Sequence, residues 1–235
     1  MTVGTGTLGI IGGIGPESTI EYYRALFDAY RQRHGQDGAP SIVINSIDVF
    51  RMLALMTAGD LRAVADTLVA EIRRLADAGS TLGILAANTP HVVFDDVAQR
   101  SAIPLLSIVV ATRDAVQAGG WTRVGLFGTR FTMSGRFYPD VFLAAGLHLV
   151  APSADDQAYI HEKYTTELLR NVFLPETRDG LLRIIDRMTR EDRIEAAILG
   201  GTELPLILRD STASGIPLLD TTRIHARAAV DRLWP

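Results

Sequence analysis

Ile84-Leu85-Ala86-Ala87-Asn88-Thr89-Pro90-His91 runs from an apolar strand into a turn of small, amide- and hydroxyl-bearing residues. About half the chain later, Ile198-Leu199-Gly200-Gly201-Thr202-Glu203-Leu204-Pro205 repeats that change of character. In α/β proteins the carboxyl end of a buried strand is where ligands sit. The pair therefore predicts two equivalent strand ends, one in each half of the chain, as the place to look for chemistry.

Working outward, short apolar runs alternate with amphipathic stretches. Strands are expected at Leu8–Ile11, Ser41–Ile44, Leu82–Ala86, Leu105–Ile108, Arg123–Phe127, His148–Ala151, Ala196–Leu199 and Pro217–Leu219. Helical patterns fill Ser18–Arg33, Ala58–Ala78, Asp155–Arg170, Glu176–Thr189 and His225–Leu233. Such alternation implies an α/β fold with mainly parallel sheets and helices on both faces. Pro16 and Glu17 suit the first turn of the helix that follows the first strand. The nearest thing to a boundary is Gln117-Ala118-Gly119-Gly120, just ahead of a new strand.

Composition narrows the function classes. Of the 235 residues, 47% are apolar and 21% charged, the balance of an ordinary globular protein. A net charge of −4 argues against a nucleic-acid surface, which needs a concentrated basic patch. No apolar run approaches the ~18 residues of a membrane span, and Met1–Thr7 lacks the basic start and apolar core of a leader, which favours the cytoplasm. The chain has no cysteine, so disulfides, thiolate metal sites and thiol nucleophiles are excluded. Its five histidines show no metal-ligand spacing with a supporting carboxylate, so no metal is expected. The turn Gly13-x-Gly15-x-x-Ser18 lacks the third glycine of a dinucleotide fingerprint, and Asp48 lies too far on to hold a ribose.

Several stretches together resemble the aspartate/glutamate racemase family. They are Leu8-Gly9-Ile10-Ile11-Gly12-Gly13-Ile14-Gly15-Pro16-Glu17-Ser18-Thr19 with Tyr22-Tyr23-Arg24, then Asn45-Ser46-Ile47-Asp48 after the second strand. Val124-Gly125-Leu126-Phe127-Gly128-Thr129-Arg130 with Thr132-Met133 opens the second half, and Asp220-Thr221-Thr222 with His225 closes the chain. The likeness covers nearly the whole sequence in order. It implies two pseudo-symmetric α/β domains with the active site in the interdomain cleft: residues 1–112 plus 217–235 as the first, 113–216 as the second. It also implies a homodimer, no cofactor, and a small amino-acid or carboxylate substrate.

The resemblance further implies where the reaction takes place. Family members usually present a cysteine at the positions held here by Ala87 and Gly201. A thiol, with an ordinary pKa of about 8.5, can take or return a proton beside a carboxylate near neutral pH. An alanine and a glycine cannot, so the two-thiol mechanism is excluded. The surrounding cradle is retained. Asn88, Thr89 and Thr202, carried over from the family motif, would hold the substrate carboxylate and the enediolate-like charge that develops at the next carbon. Gly13, Asn45, Thr129 and Arg130 fall in the matching turns.

Substitute acids or bases are sought among Glu203, Asp48 and His91, with a carboxylate's ordinary pKa of about 4.3 making burial the deciding factor. A distal substrate carboxylate would need a cation, and Arg51 is the best placed, with Arg130 and Arg170 behind it. The expected function is PLP-independent proton transfer at the carbon next to a carboxylate. Two alternatives remain open: a Cys-to-Ala variant of a one-thiol racemase or decarboxylase, and a non-catalytic amino-acid or dicarboxylate binder.

Overall fold

The computed structural model describes residues 6–36, 38–208 and 215–235, so the first five residues, read above for a leader, lie outside it. In chain order the first half contains β1 (Thr7–Gly12), α1 (Pro16–His34), β2 (Ser41–Ser46), α2 (Val49–Thr57) and α3 (Leu61–Asp77). It continues through β3 (Leu82–Leu85), a 3-10 turn (Thr89–Val93), α4 (Phe94–Arg100), β4 (Leu105–Leu106) and α5 (Ile108–Ala118). The second half runs β5 (Arg123–Gly128), α6 (Arg130–Ser134), α7 (Phe137–Ala144), β6 (His148–Val150) and α8 (Ala154–Thr166). After a 3-10 turn (Leu168–Arg170) come α9 (Pro175–Glu191), β7 (Ala196–Gly200), α10 (Leu204–Leu208), β8 (Leu218–Asp220) and α11 (Thr221–Leu233).

Two compact units result: residues 1–111 with 222–235, and residues 112–221. The first holds a sheet of order β2-β1-β3-β4 and the second a sheet of order β6-β5-β7-β8. Every pairing is parallel. The expected α/β architecture with parallel sheets is therefore present, and the two sheets share one strand order. The chain returns to the first unit at Thr222, whereas the sequence placed the return at residue 217. The reason is the pairing of β8 with β7, Ala197 opposite Leu218 and Leu199 opposite Asp220, which ties this strand to the second sheet.

Burial follows the apolar patterning. Leu8, Ile10 and Ile11 are fully buried, the continuous apolar character of a strand covered on both faces. The first core joins Leu8, Ile10, Ile84, Tyr22 and Leu26 with Ala226 and Val230 of α11 and with Trp234 just after it. The second packs Phe127, Ala197 and Leu199 against Ile160, Tyr164 and Leu168, with Leu181, Ile185 and Met188 of α9.

Three expected helices begin or end differently, the last starting at Thr221 rather than at His225. The stretch from Ala58 to Ala78 starts as a helix only at Leu61: Gly59 takes φ +74° after α2, and the Asp60 carboxylate caps the new helix by accepting from the Ala63 N–H. The stretch from Asp155 to Arg170 ends its α-helix at Thr166, and Asn171 closes the following turn in the left-handed region. Among the described residues no helix is long and apolar enough to cross a membrane.

Candidate functional site

A sheet of order 2-1-3-4 has one place where successive crossovers leave in opposite directions, between its first and third strands. Ligands of open α/β sheets bind outside the carboxyl ends of the strands at that switch point. In the first unit this lies between β1 and β3, in the second between β5 and β7. The turns there are Gly12–Gly15 and Ala86–Thr89, then Gly128–Arg130 and Gly200–Glu203. Topology alone thus picks out Gly13, Ala87, Asn88, Thr89, Thr129, Arg130, Gly201, Thr202 and Glu203. Asn45 lies near the end of the neighbouring strand β2, and Asp48 and Arg51 follow that strand.

At the end of β1, Gly13 takes φ +80°, and a Cβ there would lie 2.4 Å from the Ile47 carbonyl oxygen, so only glycine fits. Its N–H donates to Thr19 Oγ1 at 2.8 Å, while the Ile47 N–H donates to the Gly12 carbonyl at 2.9 Å. The β1 and β2 turns are thereby stitched together.

At the end of β3, Asn88 and Thr89 are buried and His91 is 3% exposed. Both His91 nitrogens are engaged. Nε2 accepts from the Ile108 N–H at 3.1 Å, so the proton sits on Nδ1, which donates to the Ala87 carbonyl at 3.0 Å. His225 forms a similar bridge. Its Nε2–H donates to the Leu106 carbonyl at 3.0 Å, and Nδ1 accepts from the Tyr22 hydroxyl at 2.9 Å. The two imidazoles stand edge to face, 6.3 Å between centroids. Burial, and then the neighbouring His225, lowers the His91 pKa to about 3, and burial lowers that of His225 to about 4. Both rings are neutral at pH 7 and hold backbone groups at the end of β3 and around β4. The expected role of His91 as an acid or base finds no spare lone pair here; it is a brace.

At the end of β2, Asp48 is the N-cap of α2. Its Oδ1 accepts from the Phe50 N–H at 2.9 Å and the Arg51 N–H at 3.3 Å. Asn45 directs its amide N–H groups to the side chain and carbonyl of Glu71 at 2.8 and 3.3 Å. Glu71 is also paired with Arg74 at 2.7 Å. A cavity of about 200 Å³ opens beside them, lined by Ser46, Asp48, Arg51, Met52, Glu71 and Arg74. Arg51 is exposed at its rim and makes no ion pair among the described residues.

In the second unit, Thr129 caps α6 by accepting from the Thr132 N–H at 3.3 Å. The Arg130 N–H donates to His161 Nδ1 at 3.3 Å. At the end of β7, Glu203 is 2% exposed. Its Oε2 accepts from the Thr202 hydroxyl at 3.0 Å and from the Tyr164 hydroxyl in a short contact. Burial, then the adjacent Glu203 charge, pushes the Tyr164 phenol well above its usual 10. A Cβ at Gly201 would lie 2.5 Å from Tyr164 Cε2 and 2.9 Å from its hydroxyl oxygen. The tyrosine ring occupies the space that a side chain at position 201 would need.

Sequence reasoning missed Tyr164 and ranked His161 below the other histidines because it sits inside a helical stretch; α8 presents the two one turn apart to the ends of β7 and β5. Ile160, Tyr164 and Leu168 recur at helical spacing, a pattern that reads only as a core face. Among the described residues no group of three His, Asp or Glu side chains could hold a metal ion. Arg170 ends the 3-10 turn after α8 and is exposed.

Two parallel sheets of matching order, with amide- and hydroxyl-bearing strand ends at both switch points, define the class to which comparison with known proteins points. Residues 11–229 match the Asp/Glu/Hydantoin racemase family, and the chain belongs to that family. A crystal structure from Yersinia pestis, of a protein provisionally assigned as an Asp/Glu racemase, aligns with TM-score 0.88 and 30% identity over 97% of this chain and 99% of that one. An aspartate racemase homologue from Pyrococcus horikoshii OT3 aligns with TM-score 0.83 and 30% identity over 97% and 98% of the two chains. A glutamate racemase from Parafrankia sp. (strain EAN1pec) is 31% identical over 150 residues, spanning 59% of this chain and 52% of that protein.

Proposed function

We propose that the protein binds a small amino or dicarboxylic acid at its strand ends and moves a proton at the carbon next to a carboxylate, without PLP and without thiols. The observation that supports this most is the placement of Asn88, Thr89, Thr129 and Thr202 at the carboxyl ends of switch-point strands, with Asn88, Thr89 and Thr202 buried. Donors there suit an anion and the enediolate charge of a deprotonated α-carbon. Arg51, exposed beside the cavity at the end of β2, is the cation for a second substrate carboxylate. His91 and His225 act here as braces. We take the active form to be a homodimer, as the resemblance implies and as size-exclusion with light scattering would check, and we place it in the cytoplasm.

The experiment is proton exchange. Each enantiomer of aspartate and glutamate is incubated with the protein in D2O and the α-proton signal followed by NMR. Loss of that signal, with or without inversion, is the expected result. Calorimetric binding with no exchange and no decarboxylation of any acid would favour the non-catalytic reading instead.

A further inference from the structure

Position 201 carries no side chain, yet the strand end it terminates is not bare. The edge of the Tyr164 ring fills that space, its hydroxyl oxygen 2.9 Å from where a Cβ would stand. That hydroxyl donates to Glu203 Oε2, and the Thr202 hydroxyl, at 3.0 Å, fixes the same oxygen. All three residues are at most 4% exposed. A phenol backed by a buried carboxylate therefore occupies the end of β7, at the switch point of the second sheet.

We propose that Tyr164 and Glu203 form a proton relay, with Glu203 the base that acts through the phenol. This rests on the functional reading above, which brings the substrate α-carbon to the strand ends. In the forward step the substrate Cα–H bond breaks and its proton forms a new O–H bond on the Tyr164 oxygen. The original phenolic O–H bond breaks at the same time, and that proton forms an O–H bond on Glu203 Oε2. The C–H electron pair stays on the substrate as the enediolate of its carboxylate. Reversal returns a proton to carbon by the same route.

No phenolate is formed at any stage. That matters because a phenolate beside the Glu203 carboxylate would place two negative charges in a buried site, the situation that holds the phenol so far above its usual pKa. Thr202 is a positioning residue, keeping Oε2 on the phenol.

Two near-isosteric variants test the relay. Tyr164→Phe keeps the ring over Gly201 and removes the hydroxyl. Glu203→Gln keeps an acceptor for the phenol and removes the base. In D2O, with the aspartate or glutamate enantiomer that the unsubstituted chain exchanges fastest, both variants are expected to lose ~100-fold or more in α-proton exchange, the scale of general acid–base catalysis. Calorimetric Kd values for the same acid are expected to stay within about threefold, which separates proton transfer from binding. If one variant fails to give a cooperative thermal transition, the other carries the test. Exchange within about threefold of the unsubstituted chain in a folded variant would overturn the relay and leave the functional reading standing. Absence of exchange in the unsubstituted chain itself would overturn both.

Discussion

The ends of β3 and β7 occupy corresponding places in two sheets of the same strand order, and they are built by different means. After β3, Ala87 carries its own Cβ, and the polar groups beneath it are two neutral imidazoles tied to backbone carbonyl and amide groups. After β7, Gly201 carries no Cβ, and a phenol and a carboxylate crowd the space instead. At the first end, titratable side chains have been turned into scaffold. At the second, a side chain from another helix has been brought to the strand. A shared topology thus fixes where polar groups gather without fixing what they can do.

The largest consequence of the contrast is acid sensitivity seated at the first end. His91 and His225 have folded-state pKa values lowered from 6.5 to about 3 and about 4. The folded protein therefore prefers them neutral, and the stability this contributes is complete above pH 6.5. As pH falls below 6.5 the unfolded chain takes up protons that the folded one refuses. Stability should fall by ~1.4 kcal/mol per pH unit for each ring, down to about pH 4 for His225 and about pH 3 for His91. Urea midpoints measured from pH 7 to 4.5 should decline steadily below 6.5. A flat profile across that interval would remove the buried neutral pair.

Next in size is the loss of one brace. His91→Ala leaves the Ile108 N–H without its acceptor, the Ala87 carbonyl without its donor, and a cavity where the ring stood. The expected cost is on the order of 3–5 kcal/mol, read as a shift in denaturation midpoint at pH 7. A cost below ~1 kcal/mol would mean that solvent reaches these groups, and the scaffold role would fail.

Much of this was legible beforehand, for identifiable reasons. Buried parallel strands such as Leu8–Ile11 and Ala196–Leu199 are apolar runs closed by glycine turns, and both appear where expected. The change from apolar to polar at Ala87-Asn88-Thr89 and Gly201-Thr202-Glu203 located the strand ends because it marks where a chain leaves a core. The strand read through Ile108 fared differently. Ile108-Val109-Val110 is rich in β-branched residues, yet it begins α5, tertiary packing overriding weak propensity.

The roles of His91, Asp48 and Asn45 were not legible either, because each depends on a partner remote in sequence or on a capping geometry. Asp48 becomes a helix cap, Asn45 a tether to Glu71, and His91 a bridge to Ile108. Tyr164 was hidden most completely, since a buried tyrosine on the apolar face of α8 has the signature of a core residue.

The claim that Tyr164 supplies what Gly201 lacks is tested most directly by a double-mutant cycle in stability. Gly201 does not adopt a positive φ, so Gly201→Ala probes space rather than backbone strain. In the chain with Tyr164 the added methyl should cost about 1–3 kcal/mol from overpacking. In a Tyr164→Ala background the same change should cost less than about 0.5 kcal/mol, giving a coupling of at least ~1 kcal/mol. An equal cost in both backgrounds would show that the ring does not fill that space and would contradict the account.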